Sequence, residues 1–326
     1  MKIFIAGGSG VLGRASLKAL VEAGHQVRAT ARTQGKEDVV RSLGAEPVSV
    51  DLYDPKEVRQ AVTGSEAILR LTTKIPPLAK MRNRAAWQET NLLRTEGARI
   101  LVDAGIAEGV QVYVHESITF VYADAGSRWI TEDAPTDDGE SEVLSSALDG
   151  EKEAVRFSES GGRGIVLRFG GFYGAESGMT TNMISMMRRR LLVQPGPGSH
   201  FVSSIYIPDA GTAVLASLNI SPGIYNVVDE NPVSFADYLH TLADAVHVPK
   251  PFRFPGALGK ATFGGAWGYL SRSQRVSNAR FKKASGWKPT VASVAEGWPL
   301  VAATLKPEAR KKAEPINRGE GGVEPL

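Results

Sequence analysis

The 326-residue, 34.8 kDa chain is 42% hydrophobic and 22% charged and has no cysteine, which supports one large domain or two ordinary ones and excludes disorder over most of the length, a disulfide scaffold, a cysteine nucleophile and a thiolate metal site. Glycine reaches 35 residues without a Gly-X-Y period, so collagen is excluded too. The net charge of +3 arises from basic residues interleaved with acids, and no apolar run approaches the ~18 residues of a membrane span, so neither nucleic acid nor membrane is an expected partner and a soluble cytoplasmic protein is the expectation.

Lys2 to Ala6 is an apolar run bounded by glycines and reads as a buried parallel strand. After the loop Gly7 to Gly13, Ala15 to Ala23 has helical periodicity, with Leu17, Leu20 and Val21 on one face and Gly24 as the stop. Strands are expected at 26–31, 46–50, 67–71 and 110–114, with helices at 38–43, 55–62 and 91–104 between them. Asp54 reads as the N-cap of the second of these helices, with Pro55 at its first position. The alternation predicts an α/β fold with a doubly wound parallel Rossmann sheet. Further on, helices are expected at 145–158, 181–190, 209–218 and 234–246, and strands at 164–169, 202–207 and 223–228. The tightest basic run, Arg188-Arg189-Arg190, reads as a solvated helix end. This organisation gives a dinucleotide-binding domain over residues 1–174, completed by segments near 203–228. A smaller C-terminal substrate-binding subdomain then comprises 175–202 and 229–305, and the polar, glycine-rich 306–326 reads as a disordered tail.

A phosphate needs free backbone N–H groups at a helix N-terminus, and side chains would block its approach. The segment Gly7-Gly8-Ser9-Gly10-Val11-Leu12-Gly13 meets that need. Gly7 serves the tight turn, Gly10 the close approach of a pyrophosphate, and Gly13 the packing of helix on strand. The residue after the second strand discriminates between dinucleotides: an acid would bond a ribose 2′-hydroxyl, an arginine a 2′-phosphate. Here Arg32 stands nineteen residues after Gly13 with no acid near, and Arg14 begins the helix nearby. NADP(H) is therefore favoured over NAD(H). Asp51-Leu52 ends the third strand, where the carboxylate could accept from an adenine amino group or cap a helix. Thr72 and Thr73 end the fourth and could line the cofactor ribose.

With these residues in hand, the sequence resembles the extended short-chain dehydrogenase/reductase superfamily in its epimerase/dehydratase branch, over roughly residues 1–300. The resemblance rests on the glycine loop, Asp51-Leu52, Asn91 with Thr95-Glu96-Gly97, Leu167-Arg168-Phe169 through Tyr173-Gly174, Gly223 to Val228, and Ser277-Asn278 through Pro289. It implies a Tyr-x-x-x-Lys pair on the fifth helix and a Ser or Thr at the end of the fifth strand. Lys152 matches the lysine, which would hold the nicotinamide ribose, but Leu148 stands where the tyrosine belongs, and no tyrosine of the chain has lysine at +4. Leucine transfers no proton, so the usual mechanism is absent.

Ser117 is the best match for the hydroxyl that bonds substrate oxygen, with Thr119 second; Ser117 could equally satisfy backbone groups at a strand end. Tyr122 matches the family's pocket-wall tyrosine and is a substitute acid. His115 and Glu116 form a titratable pair beside it, on opposite faces of a strand. No histidine pair has metal-ligand spacing, so no metal is expected. The resemblance implies an NADP(H)-binding oxidoreductase or epimerase-like enzyme acting on a small-molecule carbonyl or alcohol, with the proton from Tyr122, His115 or water. A non-catalytic NADP(H) sensor is the alternative. A homodimer through helices 91–104 and 145–158 is expected, using Leu92, Leu93, Val102, Val143, Val155 and Phe157.

Overall fold

A computed structural model describes residues 1–77, 80–139, 141–256 and 267–305. The strands in chain order are β1 (Lys2–Ala6), β2 (Gln26–Thr30), β3 (Glu46–Val48), β4 (Ala67–Arg70), β5 (Val112–Ile118), β6 (Trp129–Ile130), β7 (Arg163–Phe169), β8 (Gly171–Tyr173), β9 (Gln194–Pro195), β10 (Phe201–Val202), β11 (Ser204–Tyr206), β12 (Gly223–Val227), β13 (Val233–Ser234), β14 (Arg253–Phe254) and β15 (Arg275–Val276). The helices are α1 (Val11–Glu22), α2 (Gln34–Ser42), α3 (Pro55–Val62), α4 (Gln88–Arg94), α5 (Glu96–Ala107), α6 (Glu142–Glu159), α7 (Gly178–Arg188), α8 (Ile207–Ser217), α9 (Phe235–Ala245), α10 (Trp267–Leu270), α11 (Ala279–Ser285) and α12 (Val294–Thr304).

Seven strands form one parallel sheet in the order β12-β7-β5-β4-β1-β2-β3. Successive side chains of β1 leave on opposite faces. Ile3 and Ile5 join Leu17, Leu20, Ala213 and Val214 on the face covered by α1 and α8. Phe4 and Ala6 join Val58, Leu101, Val102 and Phe157 on the face covered by α3, α5 and α6. The chain runs outward to β2 and β3 on one side of β1 and to β4 and β5 on the other. This reversal opens a crevice at the C-terminal ends of β1 and β4, where open α/β sheets bind ligands. A second core, built on Tyr173, Met187, Leu239, Leu242, Trp298 and Val301, joins α7, α9 and α12 beside the sheet.

Several elements depart from the sequence reading. The helix expected at 91–104 is two helices, α4 and α5, broken at Thr95, whose backbone turns to ψ −79 and whose hydroxyl donates to Asn91 O at 2.9 Å; such back-bonding bends helices. The fifth strand runs four residues past Val114, through the buried polar side chains of His115, Glu116 and Ser117. The strand expected at 202–207 is interrupted at Ser203, whose hydroxyl donates to Gln274 O and accepts from Val276 N. The expected tail, 306–326, lies outside the described residues.

Candidate functional site

The glycine loop has the shape its spacing implies. Gly7 sits at φ +100°, and a Cβ there would lie 2.8 Å from both Leu71 O and Thr72 Cα. A Cβ on Gly13 would stand 2.1 Å from Gly7 O, so that residue lets α1 lie against the loop. A Cβ on Gly10 would meet only Gly7 O, at 3.2 Å, so this side of the loop faces open space. Gly7 N donates to Thr30 Oγ1 at 2.8 Å and Gly10 N to Gly7 O at 3.0 Å, which fixes the turn. α1 then starts at Val11 with no side-chain cap. The amides of Val11, Leu12 and Gly13 belong to the first turn, where N–H groups have no intrahelical acceptor. Such an end accepts an anion.

Beside this loop runs a crevice lined by Ser9, Thr30, Arg32, Lys36, Leu52, Tyr53 and Thr72 among others. Arg32 stands 58% exposed at its mouth, 3.7 Å from Glu89. Lys36 joins it from the first turn of α2, which begins at Gln34 rather than at Asp38 as the sequence suggested. The sequence pattern does not mark Lys36 because the start of α2 lies four residues before the expected one. Two cations and the Ser9 hydroxyl thus face a common space with no carboxylate on its lining. Arg14 is not part of this group, since its guanidinium reaches away to Glu176 O at 2.8 Å. Asp51 does not line the crevice either: its Oδ1 accepts from Tyr53 N at 3.0 Å, while Leu52 and Tyr53 form the wall. The Tyr53 hydroxyl is buried without a partner among the described residues, and burial raises its pKa. A cradle that side chains would fill, free first-turn amides, two cations and an unpartnered hydroxyl fit a dinucleotide.

None of the expected catalytic residues lines this crevice, and the structure rearranges them. Ser117 Oγ donates to Glu151 Oε1 at 2.6 Å. Arg168 closes on the same carboxylate with Nε to Oε1 at 2.8 Å and Nη2 to Oε2 at 2.6 Å. Sheet register explains the meeting, because Ser117 on β5 is paired directly with Arg168 on β7. All three side chains are buried. Burial works against the Arg168 charge, but its bonds and attraction to Glu151 prevail and raise its pKa. Ser117 has a single proton, and Glu151 takes it, which leaves Ser117 with lone pairs only for any other neighbour.

Lys152 is a correction. Its side chain is 75% exposed and its Nζ is bonded to Asp149 Oδ1 at 2.7 Å on the outer face of α6. A step of one residue turns a helical side chain by about 100°, so Glu151 takes the inward position that the family spacing gave to Lys152. Tyr122 is a second correction: it is fully buried, donates to Asn226 Oδ1 at 2.7 Å and lies under the Arg168 guanidinium at 4.8 Å. Burial raises its pKa above all, so it is a packed core hydroxyl and not a free acid. His115 is also core. Burial holds its pKa well below the usual value, Nδ1 faces the Tyr113 hydroxyl at 3.2 Å, and the ring packs where a Cβ on Gly150 would stand 2.7 Å away. Glu116 faces Arg70 at 3.4 Å, and Thr119 is buried. Arg70 in turn donates to Thr72 O at 2.9 Å, so it braces the strand end that Gly7 packs against. Glu151, Arg168 and Arg70 hold these buried strand ends together, and the sequence pattern gives none of them a role. Arg168 lay in view inside the Leu167-Arg168 segment, and its charge in an otherwise apolar strand was the available signal.

The model of the NAD dependent epimerase/dehydratase family matches residues 3–227. The chain belongs to this family. A 3-diazoavenalumate denitrifying reductase from a Streptomyces species is 31% identical over 315 residues, covering 91% of this chain and 99% of that protein. A 2-alkyl-3-oxoalkanoate reductase from Stenotrophomonas maltophilia is 24% identical over 77% of each chain. Among solved structures, a human epimerase family protein with NADPH superposes at TM-score 0.79 with 21% identity, covering 94% of this chain and all of that one. UDP-glucose 4-epimerase from Thermotoga maritima with UDP-glucose gives 0.77 with 20% identity, over 93% and 98% of the two chains. The fold shared with these structures is a Rossmann sheet with a smaller helical layer beside it.

Proposed function

We propose that this epimerase/dehydratase-family member is an NADP(H)-dependent reductase that delivers hydride to a small molecule without a tyrosine acid. The observation that carries the cofactor is the Arg32, Lys36 and Ser9 grouping on a lining free of carboxylates. Bound NADPH would supply the hydride. Gly7, Gly10, Val11, Leu12 and Gly13 would hold its pyrophosphate, Arg32 and Lys36 its 2′-phosphate, Leu52 its adenine and Thr72 its ribose. Guanidinium and ammonium groups suit a phosphate dianion, the first as a fork and the second as a point charge.

The chain's own groups orient rather than protonate. Glu151 and Ala147 take the inward positions on α6 that the family spacing gives to the lysine and the tyrosine, so no phenol stands there, and Ser117, fixed by Glu151, has only lone pairs left to offer. A carbonyl acceptor then takes its proton from water. An acceptor that loses a leaving group on receiving hydride needs no proton at the reacting atom, which suits such a site better; reductive removal of nitrogen, as in the name of the 31% identical relative, is chemistry of that kind. The smaller layer, 175–202 with 229–305, is the substrate-binding part in this reading, a homodimer its assembly and the cytoplasm its compartment. The test is anaerobic oxidation of NADPH across a panel of aldehydes, ketones, sugar nucleotides and arenediazonium salts. Turnover of a member supports the reductase. Tight NADPH binding with no turnover of any member supports the sensor, a reading favoured by the burial of Ser117.

A further inference from the structure

Two stretches of the sequence carry no carboxylate: residues 177–208, between Glu176 and Asp209, and residues 245–295, between Asp244 and Glu296. In the fold they meet. β9 pairs in parallel with β14, Gln194 N donates to Phe252 O at 2.9 Å, and Gly196 N donates to Phe254 O at 2.7 Å. The C-terminal end of α7 brings Arg188, Arg189 and Arg190 to the same edge, and Lys250 and Arg253 flank it; all five are exposed. Arg190 takes the left-handed conformation, φ +60°, and its guanidinium lies 5.6 Å from the centre of the Phe252 ring, which ties the two segments together.

The same edge exposes large apolar side chains. Phe252 is 68% exposed, Leu191 61%, Phe254 41% and Val193 40%. Single exposed apolar residues need no explanation, but a contiguous group rimmed by charge of one sign marks an interaction surface. None of the five cations forms an ion pair among the described residues, and only Arg188 shares a cleft lining with an acid, Asp244. Cations around exposed aromatic and aliphatic chains complement a surface that is anionic outside and apolar beneath.

We propose that this edge seats on an anionic lipid bilayer, with Phe252, Phe254 and Leu191 entering the headgroup–acyl boundary and Arg188, Arg189, Arg190, Lys250 and Arg253 facing lipid phosphates. A nucleic acid would engage the cations but leave Leu191 and Val193 in water, so the bilayer is the better fit. The attachment is peripheral, since no helix among the described residues is long and apolar enough to cross a membrane. The expectation of no membrane partner rested on the lack of a spanning run and does not bear on such a surface. The inference is independent of the cofactor reading.

Full-length protein is sedimented with vesicles of phosphatidylcholine alone and of phosphatidylcholine with phosphatidylglycerol. The expected result is binding to the mixed vesicles only, weakened by salt. Affinity falls about tenfold or more in Leu191→Ser/Phe252→Ser and in Arg188→Gln/Arg189→Gln/Arg190→Gln. Far-ultraviolet circular dichroism and urea-unfolding midpoints, measured in parallel, stay at the wild-type level and show that both variants fold. Absence of binding to the mixed vesicles at low salt overturns the proposal. So does binding lost with the arginines but untouched by the serine variant, which is the behaviour of a polyanion site.

Discussion

Replacing Glu151 by glutamine tests the rearranged site directly. The side chain keeps its shape, but the carboxylate that receives two hydrogen bonds from Arg168 and one from Ser117 loses its charge. Arg168 remains buried, with the Tyr122 ring centre 4.8 Å from its guanidinium and the neutral Tyr122 hydroxyl beside it, neither of which replaces the lost charge. Removing one partner of a buried ion pair costs about 3–5 kcal/mol, because the other charge stays desolvated. The amide NH₂ of glutamine would also point a donor at a guanidinium that is all donor, so little of the loss is recovered. We expect Glu151→Gln to lower unfolding free energy by about 3 kcal/mol or more, read by urea denaturation at unchanged m-value. Replacing both partners, in Glu151→Leu/Arg168→Met, removes the stranded charge, and buried pairs exchanged for apolar residues are often neutral. The double variant should therefore be more stable than Glu151→Gln. A loss under about 1 kcal/mol in the single variant, or an additive loss in the double one, would refute the buried pair as drawn.

Leu148→Tyr alone should not create carbonyl reduction, because Lys152, needed to lower the new phenol's pKa, is held outward by Asp149; a gain of about 10²-fold in NADPH oxidation with any aldehyde would contradict this. Asp229 is buried with Oδ1 unpartnered, and burial above all raises its carboxyl well beyond the ordinary 3.8. The folded state then binds the proton more tightly than the unfolded one, so the Asp229 contribution is complete below pH 3.8 and fades as pH rises through the folded-state value. Asp229→Asn should remove that decline from urea-unfolding curves measured across pH, and an unchanged slope would count against it. For the proposed dimer, Leu93, Val102 and Phe157 are turned into the core, which leaves Leu92 and Val155 exposed on α4 and α6; Leu92→Glu/Val155→Glu should convert a sedimenting dimer to monomer, and a wild-type monomer at micromolar protein would remove the claim.

The glycine loop and the strand–helix alternation were legible because they are local: Gly7, Gly10 and Gly13 answer to contacts within one βαβ unit. β5 was cut short because a polar run, His115-Glu116-Ser117, does not look like a buried strand until its cross-strand partner Arg168 and the facing Glu151 are known. The same non-locality hid the helix register. Spacing from Leu148 pointed to Lys152, but which of two adjacent residues faces inward depends on how α6 rests against Gly164 and His115. A Cβ on Gly164 would lie 1.8 Å from Ala154 O, and one on Gly150 2.6 Å from Arg94 O, so these two glycines let the helix settle where Glu151 points at the sheet. Tyr122 carried a family motif into a place where Asn226, a hundred residues on, takes its hydroxyl. Nothing local marks that partner.

A crevice built for a 2′-phosphorylated dinucleotide should separate NADPH from NADH. The direct measurement is anaerobic titration of NADPH and NADH, by fluorescence, into the wild type, Arg32→Asp and Lys36→Glu. The wild type should prefer NADPH, and each variant should lose about 1–3 kcal/mol of NADPH affinity, the scale of a hydrogen bond to a charged group, with little change toward NADH. Equal affinity of the wild type for the two cofactors, or variants that bind NADPH as the wild type does, would contradict it.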